Sequence, residues 1–277
     1  MLEPLDLSPR INRRAFLQAA GMGALALAVP ARWTRGQADL QAGQLGRVLE
    51  ATADLYLEPS FAAGKVKTVW RDEVLELVGA AVGGPQPEYN RVWYEVKDLG
   101  YVHSSAVQPV RQEPAPPVKF IPYGGRLMEV CVPFVDVYWN PKRDTERAYR
   151  FYFETTHWIT EARLDSKKRL WYRIDDDKYD YAYYARAENL RPVELAEVTP
   201  ISPDVPARDK RIEVNLAEQW VQCYEGANPV FIARVSTGRK YDDGSFWTPE
   251  GSFMTFRKRP SRHMTAGNLA SGYDLPG

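Results

Sequence analysis

Apolar and polar residues alternate over strand-length runs through most of the chain. The alternation is clear in residues 46–51 (GRVLEA), 68–79 (TVWRDEVLELVG) and 91–107 (RVWYEVKDLGYVHSSAV). A period of two gives a strand one face for a core and one for water. Pro59 and the Gly83-Gly84-Pro85 cluster mark turns between these runs, and short strands around an aromatic core predict a small barrel over residues 44–110. From Arg211 the pattern is cleaner still. Ile212, Val214 and Leu216 share one face, residues 218–226 (EQWVQCYEG) pair back across a short turn, and residues 229–238 (PVFIARVSTG) follow a Gly226-Ala227-Asn228 turn. That segment reads as an antiparallel meander.

Between the two lies a unit over residues 118–197 whose end echoes the first. Trp171, Tyr172, Ile174, Pro192 and Val193 repeat the order of Trp93, Tyr94, Val96, Pro109 and Val110, so a duplicated module is expected. Proline-rich residues 107–122 and 198–210 cannot donate a regular ladder and are predicted to be extended linkers. The tyrosines at 179, 181, 183 and 184 fit either a sugar-stacking platform or packing on a half-buried sheet, and packing is the simpler account. Asp175, Asp176 and Asp177 lack the glycine and the closing glutamate of an EF-hand, which leaves a solvated hairpin tip.

Composition narrows the function classes. Lysine plus arginine equals aspartate plus glutamate at 36 each, so no net field recruits nucleic acid or an anionic membrane surface. Twelve per cent aromatics with 21 prolines and 19 glycines suit many short strands and tight turns. Two cysteines, Cys131 and Cys223, provide no disulfide framework, and a pair of buried free thiols is expected in preference to a bridge. Cys223 lies mid-strand with no histidine, helix start or glycine turn near it in sequence to lower its pKa, so it reads as a packing residue. No metal or cofactor is indicated.

The amino terminus is different in kind. Residues 12–33 place Arg13 and Arg14 before a short apolar run, residues 19–29, in the layout of an export signal; the run is shorter than the ~20 residues of a permanent span. Arg13, Arg14, Ala15, Phe16 and Leu17 resemble a twin-arginine signal. The resemblance implies passage through the twin-arginine translocase, no stable membrane anchor, and work in the cell wall or extracytoplasmic space. Residues 1–38 are assigned to it.

Trp93, Tyr94, Gly100, Tyr101 and Val102 resemble the end of a bacterial Src-homology-3-like domain, and the Trp171 echo extends that resemblance to a second, tyrosine-rich copy. Residues 209–277 resemble the amino-terminal part of the L,D-transpeptidase catalytic domain. The charged-then-alternating strand, the Tyr-Glu-Gly turn, Ser236-Thr237-Gly238 and Thr248-Pro249-Glu250-Gly251 come in that family's order. The expected fold is therefore all-β: two small Src-homology-3-like barrels followed by an incomplete L,D-transpeptidase β-sandwich.

The resemblance implies cysteine acyl transfer between peptidoglycan stem peptides, with a His-Gly and a Ser-x-Gly-Cys segment supplying the catalytic residues. Neither occurs in the chain, so the nucleophile and its histidine are expected beyond Gly277 and residues 1–277 are expected to be inactive. Thr248, Gly251 and His263 are the candidate substrate-binding residues; for His263 the alternative is an exposed loop histidine. Of the other two histidines, His103 is placed in the first module's last strand and His157 in the second module. Arg257, Lys258, Arg259 and Arg262 form a basic cluster that suits stem-peptide carboxylates or plain solvation. The competing class is a non-catalytic wall-binding protein that uses the paired modules, with a structural protein meeting another wall protein through the tyrosine-rich module as a further alternative.

Overall fold

A computed structural model describes residues 43–88, 90–142, 146–241, 244–265 and 274–275. The export signal expected over residues 1–38 lies outside the described residues. Among those described, no helix is long and apolar enough to cross a membrane. The structure is nearly all β, as the alternation predicts. Two compact units are present: one holds Val198–Phe256, the other the described residues through Glu197 together with those from Arg257 onward.

The larger unit contains two seven-stranded antiparallel sheets. The first is built from β1 (Leu45–Val48), β2 (Thr52–Tyr56), β3 (Lys65–Trp70), β4 (Val74–Val82), β5 (Val92–Val96), β6 (Gly100–His103) and β7 (Val107–Val110), in the order β3-β2-β6-β5-β4-β1-β7. The second runs from β8 (Arg126–Val130) through β9 (Phe134–Tyr138), β10 (Arg147–Tyr152), β11 (Thr156–Leu164), β12 (Leu170–Asp175) and β13 (Ala182–Arg186) to β14 (Leu190–Pro192). Its order, β10-β9-β13-β12-β11-β8-β14, is the first order shifted by seven. A single 3₁₀ turn precedes the last strand in both, at Ser104–Ala106 and Ala187–Asn189. The Trp-Tyr echo in the sequence thus falls on equivalent strands, β5 and β12. His103 closes β6, one strand earlier than its expected place in the last strand of the module.

Each sheet wraps its own core. Val48, Leu55, Val69, Leu77, Val96 and Val102 fill the first; Met128, Val137, Phe151, Ile159, Tyr172 and Ile174 fill the second. Burying such side chains contributes roughly 1.5–3 kcal/mol each, which is what lets sheets of this size hold together. Gly100 turns the chain from β5 into β6 at φ +98°, and a Cβ there would lie 2.3 Å from the Tyr56 carbonyl oxygen. Gly100→Ala should therefore destabilise the first module by about 2 kcal/mol, from left-handed strain and overpacking combined, a shift readable in its urea midpoint.

Asp72, in the turn from β3 to β4, joins the two modules. Its carboxylate accepts from Arg47 Nη1 at 2.7 Å and from Arg150 Nη1 at 2.8 Å, and Arg150 also donates to both oxygens of Asp136 at 2.7 and 2.9 Å. The Arg47 guanidinium lies over the Tyr152 ring at 4.0 Å and that of Arg150 over Phe134 at 3.9 Å. Arginine suits such a place because its planar fork stacks and donates at once.

The linker expected over residues 107–122 does not form as such: Val107–Val110 is a ladder strand, β7, paired antiparallel with β1 despite Pro109, and the residues after it are not a free spacer. Glu113 N donates to Cys131 O at 3.1 Å, Ala115 N to Glu188 O at 2.9 Å and Val118 N to Tyr172 Oη at 2.7 Å, while Ala115, Val118 and Ile121 pack on the second core. Prolines 114, 116 and 117 have no N–H to lose, and the amides before, between and after them, at Glu113, Ala115 and Val118, find partners on the module.

The smaller unit carries the meander: β15 (Lys210–Asn215), β16 (Trp220–Glu225) and β17 (Asn228–Arg234), in that order, then the hairpin β18 (Gly238–Tyr241) and β19 (Gly244–Trp247). Ile212, Val214 and Ile232 are exposed. β15 and β17 are the edges of this sheet, and both carry exposed apolar side chains.

Candidate functional site

The two turns that frame the family resemblance are joined by a hydrogen bond. Gly238, at φ +83°, begins β18 and pairs with Trp247 at the end of β19, so the Ser-Thr-Gly and Thr-Pro-x-Gly turns lie side by side at the open end of that hairpin. Thr248 N donates to Thr237 O at 2.8 Å. Thr237 is buried and is held from below: its amide donates to Gln219 Oε1 at 2.9 Å, Gln219 Nε2 donates to Thr237 Oγ1 and to Leu216 O at 2.7 Å, and Thr237 Oγ1 reaches Leu216 O at 3.4 Å. Gln219 itself turns the chain at φ +57°. Gly251 has φ +149°, a conformation that side-chain-bearing residues rarely adopt. The candidate residues Thr248 and Gly251 therefore sit on a braced pair of turns.

Neither thiol is set up as a nucleophile. Burial pushes both the Cys131 and the Cys223 thiol above their ordinary range, the opposite of what an attacking thiolate needs. Both are free; Cys131 is buried, whereas Cys223, expected to be buried, is only partly so. His103 is held by Ser105 Oγ and Asn90 O, at 2.7 and 3.0 Å. His157 stacks on Phe151 at 3.7 Å.

The tip between β12 and β13 departs from the sequence reading. Rather than a solvated acidic tip, it forms a receptor for residues 259–263. The Asp176 side chain has no exposed surface; it accepts from the amides of Lys178 (2.9 Å) and Tyr179 (2.8 Å), from Tyr183 Oη (2.9 Å) and from His263 Nδ1 (2.5 Å). Asp177 accepts from His263 N at 2.7 Å, from Arg262 Nη1 at 2.9 Å and from Arg259 Nη1. Thr156 Oγ1 donates to Pro260 O at 2.7 Å.

His263 was expected at a cleft or exposed on a loop; its imidazole is instead enclosed, with the edges of Tyr149 and Tyr179 against it at 6.2 and 5.1 Å. Arg259 and Arg262 of the basic cluster are paired. Of the tyrosines, Tyr183 is buried, while Tyr181 is half-exposed between Trp139 at 5.6 Å and the likewise half-exposed Tyr179 at 5.5 Å. A cavity of about 260 Å³ lined by Trp158, Asp175, Asp177, Arg259, Pro260 and Ser261 remains beside this contact. Among the described residues no group of acidic, cysteine or histidine side chains is arranged to hold a metal.

Burial alone would raise the Asp176 and Asp177 carboxyls, but the bonds they accept outweigh it. For Asp176 these come from His263, the Tyr179 and Lys178 amides and Tyr183; for Asp177, from the His263 amide, Arg262 and Arg259. Both groups end below their ordinary value. A depressed carboxyl stabilises the folded contact above the unfolded pKa, about 3.9, and that contribution is lost as pH falls below it. The contact is therefore expected to hold at neutral pH and to weaken below about pH 4, which a carboxyl-carbon NMR titration of Asp176 and Asp177 would follow.

Residues 209–275 match the family described as YkuD, the L,D-transpeptidase catalytic domain. No curated protein matches. Among solved structures, the chain is similar to NlpC2 of Trichomonas vaginalis at 12% identity over 57% of this chain and 50% of that one, with a TM-score of 0.20. It is similar to NlpC1 of the same organism at 13% over 62% and 51%, also at 0.20. The chain spans about half the length of each.

Proposed function

We propose that this protein is an exported peptidoglycan L,D-transpeptidase. The observation that carries the reading is the family match over residues 209–275, whose two signature turns are held together by the Thr248–Thr237 bond. In the proposed reaction a thiolate attacks a stem-peptide carbonyl and the amide bond to the terminal D-alanine breaks. The resulting thioester then passes its acyl group to an amine of a neighbouring stem, restoring the thiolate. Since Cys131 and Cys223 are both unsuited, the reading assigns the nucleophile to sequence outside residues 1–277. Thr248 and Gly251 contribute to the frame that holds the donor stem.

The test compares residues 1–277 with the same chain continued by whatever the gene encodes after Gly277, each incubated with a disaccharide tetrapeptide. Release of D-alanine and cross-linked dimers by the continued chain alone, lost when its added cysteine becomes alanine, is the expected result. A continued chain that leaves the substrate intact would overturn the reading.

The two sheets of one strand order, joined through Asp72, favour a second reading: paired Src-homology-3-like modules that grip peptidoglycan without catalysis. It predicts sedimentation with purified sacculi that survives deletion of everything after Val198. Binding lost on that deletion counts against it.

A further inference from the structure

We infer that the β12–β13 tip is a docking site for an Arg-x-x-Arg-His segment, and that its occupant is residues 259–263 of this same chain. The contact lies wholly within the larger unit, yet its basic partner falls inside the stretch matched to the L,D-transpeptidase catalytic domain. The second module thereby holds part of that stretch. The inference stands apart from the proposed reaction, since none of these residues is assigned a step in it.

The fit has three parts. Asp177 accepts from two arginines three positions apart and from the amide that follows the second, so one carboxylate reads both charge and backbone. Asp176 takes the fully buried imidazole through the same carboxylate oxygen that accepts from Tyr183 Oη, and the Tyr149 and Tyr179 rings stand perpendicular to it. Thr156 holds the Pro260 carbonyl between these anchors. Charge-assisted bonds of this kind are roughly twice as strong as neutral ones, and the Asp176–His263 bond is shielded from solvent, where screening is weak. Asp175, the third acid of the tip, is engaged by Arg173 at 2.8 Å, which leaves Asp176 and Asp177 for the segment. Lysine in place of either arginine keeps the charge but loses the planar donor fork.

Hydrogen exchange of the full chain, followed by mass spectrometry over residues 257–265, tests this directly. Wild-type protein should protect the segment. Asp177→Asn, and separately Arg259→Gln with Arg262→Gln, should speed its exchange about tenfold or more as the contact opens, while β12 and β13 stay protected. Asp177→Arg alone should do the same, and joining it to Arg259→Asp and Arg262→Asp should restore protection. Arg259 and Arg262 lie outside the second module's core, so their double variant decides the matter if Asp177→Asn also loosens β12 and β13. Wild-type exchange at the unprotected rate, or no change in the Arg259→Gln/Arg262→Gln protein, would overturn the inference.

Discussion

Trp171→Ala should destabilise the second module by about 3–5 kcal/mol, the usual cost of deleting a large buried aromatic side chain. Trp171 is wholly buried, and its indole Nε1 donates to Asp165 Oδ2 at 3.0 Å. Asp165 also accepts from Arg169 Nε at 2.7 Å and from the amides of Lys167 and Arg169. Burial opposes its charge, yet these donors together hold the carboxyl far below its ordinary range. Removing the indole opens a cavity and withdraws one of those donors.

The equivalent residue of the first module gives the internal control. Trp93 is as deeply buried, but its Nε1 has no partner among the described residues. Trp93→Phe should cost less than Trp171→Phe, because only the second removes a made hydrogen bond. Urea denaturation of both variants would measure the difference, and equal losses would sink the argument.

Asp72→Ala is expected to be nearly as damaging, at about 3 kcal/mol, the lower end for removing one partner of a buried ion pair. The side chains of Asp72 and Arg47 are 12% and 7% exposed, so water does little to replace the lost carboxylate. Arg47 would retain Gln108 Oε1 at 2.8 Å and Arg150 would retain Asp136, which is why the figure is not higher. Asp72 sits at φ +66°, a region that asparagine tolerates; Asp72→Asn therefore isolates the loss of charge from backbone strain. In calorimetry the two modules of the wild type should unfold together, and those of Asp72→Ala in two separate steps. A single unshifted transition in the variant would show that Asp72 does not couple them.

The strands were legible because a period of two survives in any half-buried sheet, and the repeat was legible because Trp93-Tyr94 and Trp171-Tyr172 occupy the same place in a shared strand order. The Ser-Thr-Gly and Thr-Pro-x-Gly turns were legible for a local reason: each needs particular residues to bend the chain. What escaped was set by distant partners. Three consecutive aspartates look like solvated surface until His263, 87 residues on from Asp176, closes over them. Nothing in the spacing of Asp176 and His263 announces that pairing. Proline content likewise misplaced the start of the linker, since Val107–Val110 pairs with β1, and left unstated that amides among the prolines of residues 111–122 have carbonyl and hydroxyl acceptors on the second module.

Those amides matter to anyone dividing the gene into fragments. A cut placed at Val118, where the second run of alternation begins, would discard the donors at Glu113 and Ala115 and expose the carbonyls of Cys131 and Glu188 that receive them. It would also strip Ala115 from the packed surface. A fragment that starts before Glu113 keeps this covering ribbon, so the proline segment is inherited with the module it follows onto and not with the one it leaves.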